Sequence, residues 1–289
     1  MQQELIITKL INLEEMKKIL NSLIIITIIL ESFFTNYSAE AQEWPGIKDS
    51  IFSNTLKEYR DFQVVLPQDY KSGSQDKYEV LYILDGEWYM EQVPFIYDFV
   101  VSAGFAPQSI FVLIPNTYIE NNNLRSRDFS PSKIASWPGS GGADNFHSFL
   151  KNELIPYIDK SYPSNGKKSL LGSSLSGMFT VYAFVKEPQL FESFIASDPW
   201  LRWDNNHVSK LAIDNILNLS KSNSTLFIAG VKNSYKTTGI KKFDSILKSS
   251  NPLNPLWKIV PYTNETHYSV QHKAFYDGIR FSHLGYSKN

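Results

Sequence analysis

The stretch Leu170-Leu171-Gly172-Ser173-Ser174-Leu175-Ser176-Gly177 constrains this chain more than any other. Two apolar residues run into Gly172, and from Gly177 the residues Met178-Phe179-Thr180-Val181-Tyr182-Ala183-Phe184-Val185 suit a helix that closes before Glu187-Pro188. A strand turning sharply into a helix on a serine is the layout of a nucleophile elbow. Small residues two before and two after the serine let strand and helix crowd together. Here those residues are Gly172 and Ser176, the latter standing where the commonest form of the motif has glycine. Such a turn lifts the Ser174 hydroxyl clear of the sheet and aims the Leu175 amide at a developing oxyanion. The plainer reading of the octapeptide by itself is a Ser/Gly-rich loop.

With 289 residues, 43% of them hydrophobic, the chain can bury a sizeable core in one or two domains. A net charge of −1 gives no general attraction for nucleic acid or anionic membrane. The absence of cysteine excludes a thiol nucleophile, disulfides and cysteine-held metals. At the N-terminus, Met16-Lys17-Lys18 precedes an apolar run over 23–30, and Ala39-Glu40-Ala41 supplies a small-x-small cleavage site. Residues 16–41 therefore read as a secretory signal. The apolar run falls short of the roughly 20 residues a spanning helix needs, which favours cleavage before Gln42 over a retained anchor. Residues 1–15 read as an over-extended start. The expectation is a secreted or periplasmic protein with no membrane attachment after cleavage.

Beyond the signal, strand-like and helix-like segments alternate, the pattern of an α/β domain with a mainly parallel sheet. Strands are expected over 59–66, 78–84, 109–114, 191–196, 225–229 and 257–260, besides the one entering the elbow. Apolar residues at 146, 149, 150, 154 and 158 form a helical stripe, and a last helix is expected over 270–283. One domain over 45–289 accommodates all of these. The polar stretch 116–142 is an irregular excursion of the length that tends to be functional or disordered.

A serine hydroxyl needs a base within hydrogen-bond reach. Of the five histidines, His267 fits, because it follows the last strand in the polar turn Asn264-Glu265-Thr266-His267-Tyr268-Ser269. His147, His272 and His283 fall in expected helices and suit surface or packing roles. An acid orienting His267 should follow the strand over 225–229, but Gly230-Val231-Lys232-Asn233-Ser234-Tyr235-Lys236 has no carboxylate. The substitutes are Glu265, Asp244 and Asp198, or a Ser-His dyad steered by Asn233 or a backbone carbonyl; the dyad and Glu265 rank above Asp244. A second oxyanion donor, the amide of Glu87, is expected from the turn Asp85-Gly86-Glu87-Trp88, where Gly86 permits a tight bend. No helix-spaced histidine pair and no phosphate-cradling loop is present, so neither metal nor cofactor is called for.

With those residues stand Tyr82-Ile83-Leu84-Asp85-Gly86, Arg125-Ser126-Arg127-Asp128-Phe129-Ser130-Pro131, Gly141-Gly142-Ala143-Asp144-Asn145-Phe146, Glu153-Leu154-Ile155-Pro156-Tyr157-Ile158, Ser197-Asp198-Pro199-Trp200 and Glu265-Thr266-His267. Together they resemble the Putative esterase family of α/β hydrolases over about 50–283, most of all its siderophore-esterase branch. The resemblance implies an α/β-hydrolase fold: a doubly wound, mainly parallel sheet with helices on both faces and no large cap domain. It implies Ser174 as nucleophile, His267 as base, and the amides of Leu175 and Glu87 as oxyanion hole. The family's usual acid falls near Asn233 or Ser234, where this chain has none, and some siderophore esterases are described as working with a dyad. The implied activity is an exported serine carboxylesterase acting on a small-molecule ester, of siderophore or aromatic acyl type. An acyltransferase on the same machinery and a non-catalytic binding protein are the alternatives. Around the mouth, Asp85, Gly86, Arg125 and Trp200 are the substrate-side residues. Trp88, Trp137 and Trp203 could flank a ring with Trp200 or belong to the core. Arg125 could meet an anionic substrate or bridge to Asp128.

Overall fold

A computed structural model describes residues 46–250 and 256–287. The signal over 16–41 and the start over 1–15 lie outside them. In chain order the elements are β1 Ile47–Ser53, β2 Glu58–Val65, β3 Tyr78–Leu84, α1 Gly86–Tyr89, α2 Gln92–Ser102 and β4 Ser109–Ile114. A small hairpin, β5 Tyr118–Ile119 and β6 Asn122–Asn123, leads to α3 Arg125–Phe129 and α4 Ala143–Phe149, then through a π turn at Leu150–Leu154 to α5 Ile155–Ser161. There follow β7 Ser164–Ser173, α6 Leu175–Lys186, β8 Ser193–Ser197, α7 Trp203–Asp214, α8 Ile216–Leu219 and β9 Thr225–Val231. The described chain ends with α9 Lys232–Thr237, α10 Ile240–Ser250, β10 Leu256–Tyr262 and α11 Val270–Ser282.

Eight strands form one sheet in the order β1-β2-β4-β3-β7-β8-β9-β10. The β1–β2 and β2–β4 pairs are antiparallel, and every pair from β4 to β10 is parallel. Parallel strands are covered on both faces, so they read as near-continuous apolar runs, and the alternation divides them between two cores. Val80, Tyr82, Leu84, Ile110, Val112 and Ile114 face one, closed by α4 to α7 and α10. Leu81, Ile83, Phe111 and Leu113 face the other, closed by α2 and α11. This is the expected α/β-hydrolase architecture, with helices on both faces.

Topology also says where a site belongs. The chain steps from β3 to β4 on one side, then returns to lay β7 on the other side of β3. Such a reversal leaves a crevice beyond the carboxyl ends of the two central strands. Here those ends are Leu84, leading into Asp85, and Ser173, leading into Ser174. The register Ser173↔Ser197 and Ser197↔Ala229 then sets the ends of β7, β8 and β9 side by side.

The strand expectations at 78–84 and 109–114 match β3 and β4, and the others fall within a few residues of β2, β8, β9 and β10. Not located from sequence are β1, whose Lys48, Asp49 and Ser50 give it the polar character of an exposed edge strand, and helices α2, α7, α8 and α9. The stripe at 146–158 begins earlier, at Ala143. The excursion 116–142 carries the β5–β6 hairpin and α3.

Candidate active site

The elbow forms where small residues allow it. A Cβ on Gly172 would stand 2.5 Å from the Ser176 carbonyl oxygen and 2.7 Å from the Thr180 hydroxyl, so any larger residue would separate β7 from α6. Between them Ser174 adopts φ 58°, ψ −113°, a region that costs a non-glycine residue on the order of 1–3 kcal/mol and persists only when its surroundings over-determine it. The surroundings do so: the Ser174 amide donates to the Ser197 carbonyl at 2.8 Å, and its carbonyl accepts from the amides of Met178 at 2.9 Å and Trp200 at 3.3 Å. Leu175 opens α6, and the first amides of a helix have no acceptor within it.

One strand over, Asp198 follows β8 at φ 41° and is only 2% exposed. Its carboxylate accepts from the Val231 amide at 3.1 Å, the Ser234 hydroxyl at 3.1 Å and His267 Nδ1 at 2.6 Å. A carboxylate on Nδ1 selects the tautomer that carries its proton there and leaves Nε2 as an acceptor. The loop after β10 thus delivers an imidazole to the strand end that neighbours Ser174.

The structure separates the other proposed acids from that imidazole. Glu265 accepts from the Ser269 hydroxyl at 2.5 Å and faces Lys273 at 3.7 Å. Glu265 is thus not the carboxylate on His267, because the turn points its side chain along the start of α11. Asp244 is held by Tyr235 and Lys248, each at 2.7 Å. It is Ser234, rather than Asn233, whose side chain joins the Asp198 cluster. Two of the remaining histidines sit elsewhere: His283 Nε2 meets Glu79 at 2.9 Å. Burial pushes His147 down to about 4, where it packs as a neutral ring near Glu187.

On the other side of the crevice, Asp85 adopts φ 55° and is fully buried. Gly86 lies so close to β4 that a Cβ would stand 2.7 Å from the Ile114 nitrogen. Arg125 forks onto Asp85, Nε to Oδ1 at 2.6 Å and Nη2 to Oδ2 at 2.8 Å. One expectation is thereby corrected. Asp85 is sealed from solvent, and the Arg125 side chain, 18% exposed, bridges to Asp85 rather than to Asp128. Asp128 instead pairs with Arg60 at 2.6 Å and Arg127 at 2.8 Å. Asn116, which no sequence motif marks, donates to Asp85 at 2.9 Å and to Glu87 at 2.6 Å. Burial raises the neighbouring Tyr89 phenol to about 12, so it stays neutral.

Aromatic rings stand around the crevice. Trp137, Trp200 and Trp203 meet edge-on with centroids 5.6–6.0 Å apart. Trp203 is core, with its indole N–H on the Ser132 carbonyl at 3.1 Å, whereas Trp137 is 41% exposed. Trp88, 49% exposed, stacks with the Arg125 guanidinium at 5.0 Å. Among the described residues no cluster of three or more His, Asp or Glu could hold a metal ion, and no helix is long and apolar enough to cross a membrane.

A family model described as Putative esterase matches residues 53–274. Over 114 residues the chain is 30% identical to the ferri-bacillibactin esterase BesA of Bacillus subtilis, covering 36% of this chain and 39% of that protein. Over 132 residues it is 28% identical to the siderophore triacetylfusarinine C esterase of Aspergillus fumigatus, covering 44% and 45%. The chain thus matches less than half the length of these curated relatives. An IroE-like serine hydrolase from Shewanella oneidensis superposes with a TM-score of 0.71 at 28% identity, covering 82% of this chain and 79% of that one. The siderophore hydrolase EstA of Aspergillus nidulans, at 20% identity, shares the fold with a TM-score of 0.71 over 85% and 96% of the two chains. With a sheet of this topology, an elbow at Ser174 and a family match running from the end of β1 into α11, the chain belongs to the Putative esterase family.

Proposed function

We propose that this chain is an exported serine carboxylesterase that hydrolyses siderophore-type esters. The observation that carries the reading is the Asp198–His267 pair, held at the strand end beside a strained Ser174. In the forward step His267 Nε2 takes the Ser174 proton as Oγ attacks the acyl carbon. The amides of Leu175 and Glu87 receive the charge on the carbonyl oxygen. Collapse of that intermediate expels the alcohol with the proton returned by His267. Water, deprotonated in its turn by His267, then attacks the acyl-enzyme and frees the acid and Ser174. Asp198 keeps the imidazole in its working tautomer and stabilises the imidazolium formed at each proton transfer.

The substrate class rests on the relatives' names and on the crevice itself. The exposed edges of Trp137 and Trp88 suit an acyl group bearing a ring, such as a catecholate. A carboxylate on the His267 ring supports catalysis over a non-catalytic binding protein, which would need none there. Export rests on the signal pattern over 16–41. The test is product analysis with a tris-catecholate trilactone and p-nitrophenyl acetate. Wild type is expected to release the free acid from both, and Ser174→Ala from neither. Equal rates for the two proteins would end the esterase reading.

A further inference from the structure

We infer that Ser176 and Asp85 form a positioning unit that sets the two halves of the oxyanion hole relative to each other, so that glycine at 176 would make a poorer enzyme. The inference rests on the esterase reading above. The two proposed donors belong to different chain segments: Leu175 to the elbow after β7, and Glu87 to the turn after β3. A tetrahedral oxyanion needs both amides at 2.7–3.1 Å, so their spacing must be held to about 0.5 Å. Strand pairing alone does not do this. The last β3–β7 pair is Ile83↔Leu171, so both turns lie beyond the ladder.

The Ser176 hydroxyl spans the gap. It accepts from the Ser173 amide at 2.8 Å and donates to Asp85 Oδ2 at 2.6 Å, with the Ser173 carbonyl at 2.9 Å as a second acceptor. Arg125 repeats the link, with Nε and Nη2 on Asp85 and Nη2 also 3.3 Å from the Ser173 carbonyl. Asn116 extends it to the donor residue itself, with Nδ2 on Asp85 and Glu87 and its backbone amide on Glu87 Oε2 at 3.1 Å. Asp85 is therefore bonded, directly or through one residue, to both sides of the crevice. It also occupies a left-handed conformation that persists only when the surroundings fix it.

The serine at 176 has a physical reason within this network. Asp85 is fully buried and has four donor contacts: two from Arg125, one from Asn116 and one from Ser176. Removing the hydroxyl leaves an Oδ2 lone pair without its donor in a site closed to water, and frees the Ser173 amide as well. Either loss lets the turn after β3 drift against the elbow. The glycine of the commonest motif satisfies the steric need at this position but cannot supply the bond.

The test compares wild type, Ser176→Gly and Ser176→Ala on p-nitrophenyl acetate at 25 °C, with phenylboronic acid as a tetrahedral adduct former. Both variants are expected to lose kcat by about 10- to 100-fold, a fraction of what a deleted oxyanion donor costs. KM should stay within about twofold, and boronate affinity should weaken by a factor similar to that of kcat. The acid limb of the pH–rate profile should stay in place, since the Asp198–His267 pair is untouched. Circular dichroism at the assay temperature must show both variants folded. Wild-type kcat in a folded Ser176→Gly would overturn the inference, as would a loss of kcat with boronate affinity unchanged. If wild type itself shows no Ser174-dependent turnover, it is the esterase reading that fails.

Discussion

Two aspartates end strands on the same edge of the sheet, both buried and both at positive φ, yet they are served by opposite kinds of partner. Asp85, after β3, is clasped by a guanidinium fork and two neutral donors. Asp198, after β8, has an amide, a hydroxyl and a histidine. Arginine is charged throughout, so Asp85 is a fixed ion pair, stable whether or not chemistry is under way. Histidine acquires its charge only when it takes a proton, so in the proposed mechanism the attraction of Asp198 for its partner grows at the moment Ser174 is deprotonated. A permanent cation gives rigidity, and a titratable one gives a bond that strengthens in the transition state.

The largest expected effect comes from breaking the titratable pair. Asp198→Asn should lower kcat by about 10³- to 10⁴-fold with little change in KM, because an amide at that position favours the wrong imidazole tautomer. Steady-state kinetics on p-nitrophenyl acetate checks this, and a loss below tenfold would move the orienting role to another group. Breaking the fixed pair should act differently. Asp85→Asn leaves Arg125 without its counter-charge in a largely buried site, so we expect a stability loss of about 3–5 kcal/mol by urea denaturation. Its kcat should fall by about 10²-fold, with the acid limb of the pH profile unmoved. A shifted limb would show that the two aspartates are not functionally distinct.

A smaller effect distinguishes buried neutral groups from both pairs. His147 titrates at about 4 in the folded protein, against 6.5 ordinarily. Between those values the unfolded chain binds more protons than the folded one, so stability falls as pH drops through that window. His147→Leu should flatten the fall by about 1–3 kcal/mol in unfolding free energies from urea titrations taken between pH 7 and pH 4.5. The smallest effect is expected of Glu265→Gln, within about twofold of wild-type kcat, because its carboxylate is engaged with Ser269 and Lys273 rather than with the imidazole. A loss like that of Asp198→Asn would restore Glu265 as the acid.

The elbow was legible because its constraints are local: Gly172 and Ser176 flank Ser174 within five residues, and the crowding that requires them is between adjacent elements. The place of His267 in the candidate site was legible from its order after the last strand. The carboxylate that meets its ring was less so, because the place of that group depends on register. The parallel pairing Ser197↔Ala229 sets Asp198 beside the Val231 amide, so the carboxylate approaches from β8 while chain order points to the turn after β9. The available signal was Asp198 itself, an acid directly after an apolar strand. The Asp85–Arg125 fork was hidden for the same reason, since it joins residues 40 apart in sequence. Asp128 lay closer in sequence to Arg125 but is taken by Arg60 and Arg127.

The most direct measurement is intact-mass and peptide mass spectrometry after incubation with a fluorophosphonate. A hydroxyl activated by the imidazole that Asp198 holds should give one adduct, on the peptide carrying Ser174, with none formed by His267→Ala in the same time. An unlabelled wild type, an adduct elsewhere, or a His267→Ala protein labelled at the wild-type rate would contradict it.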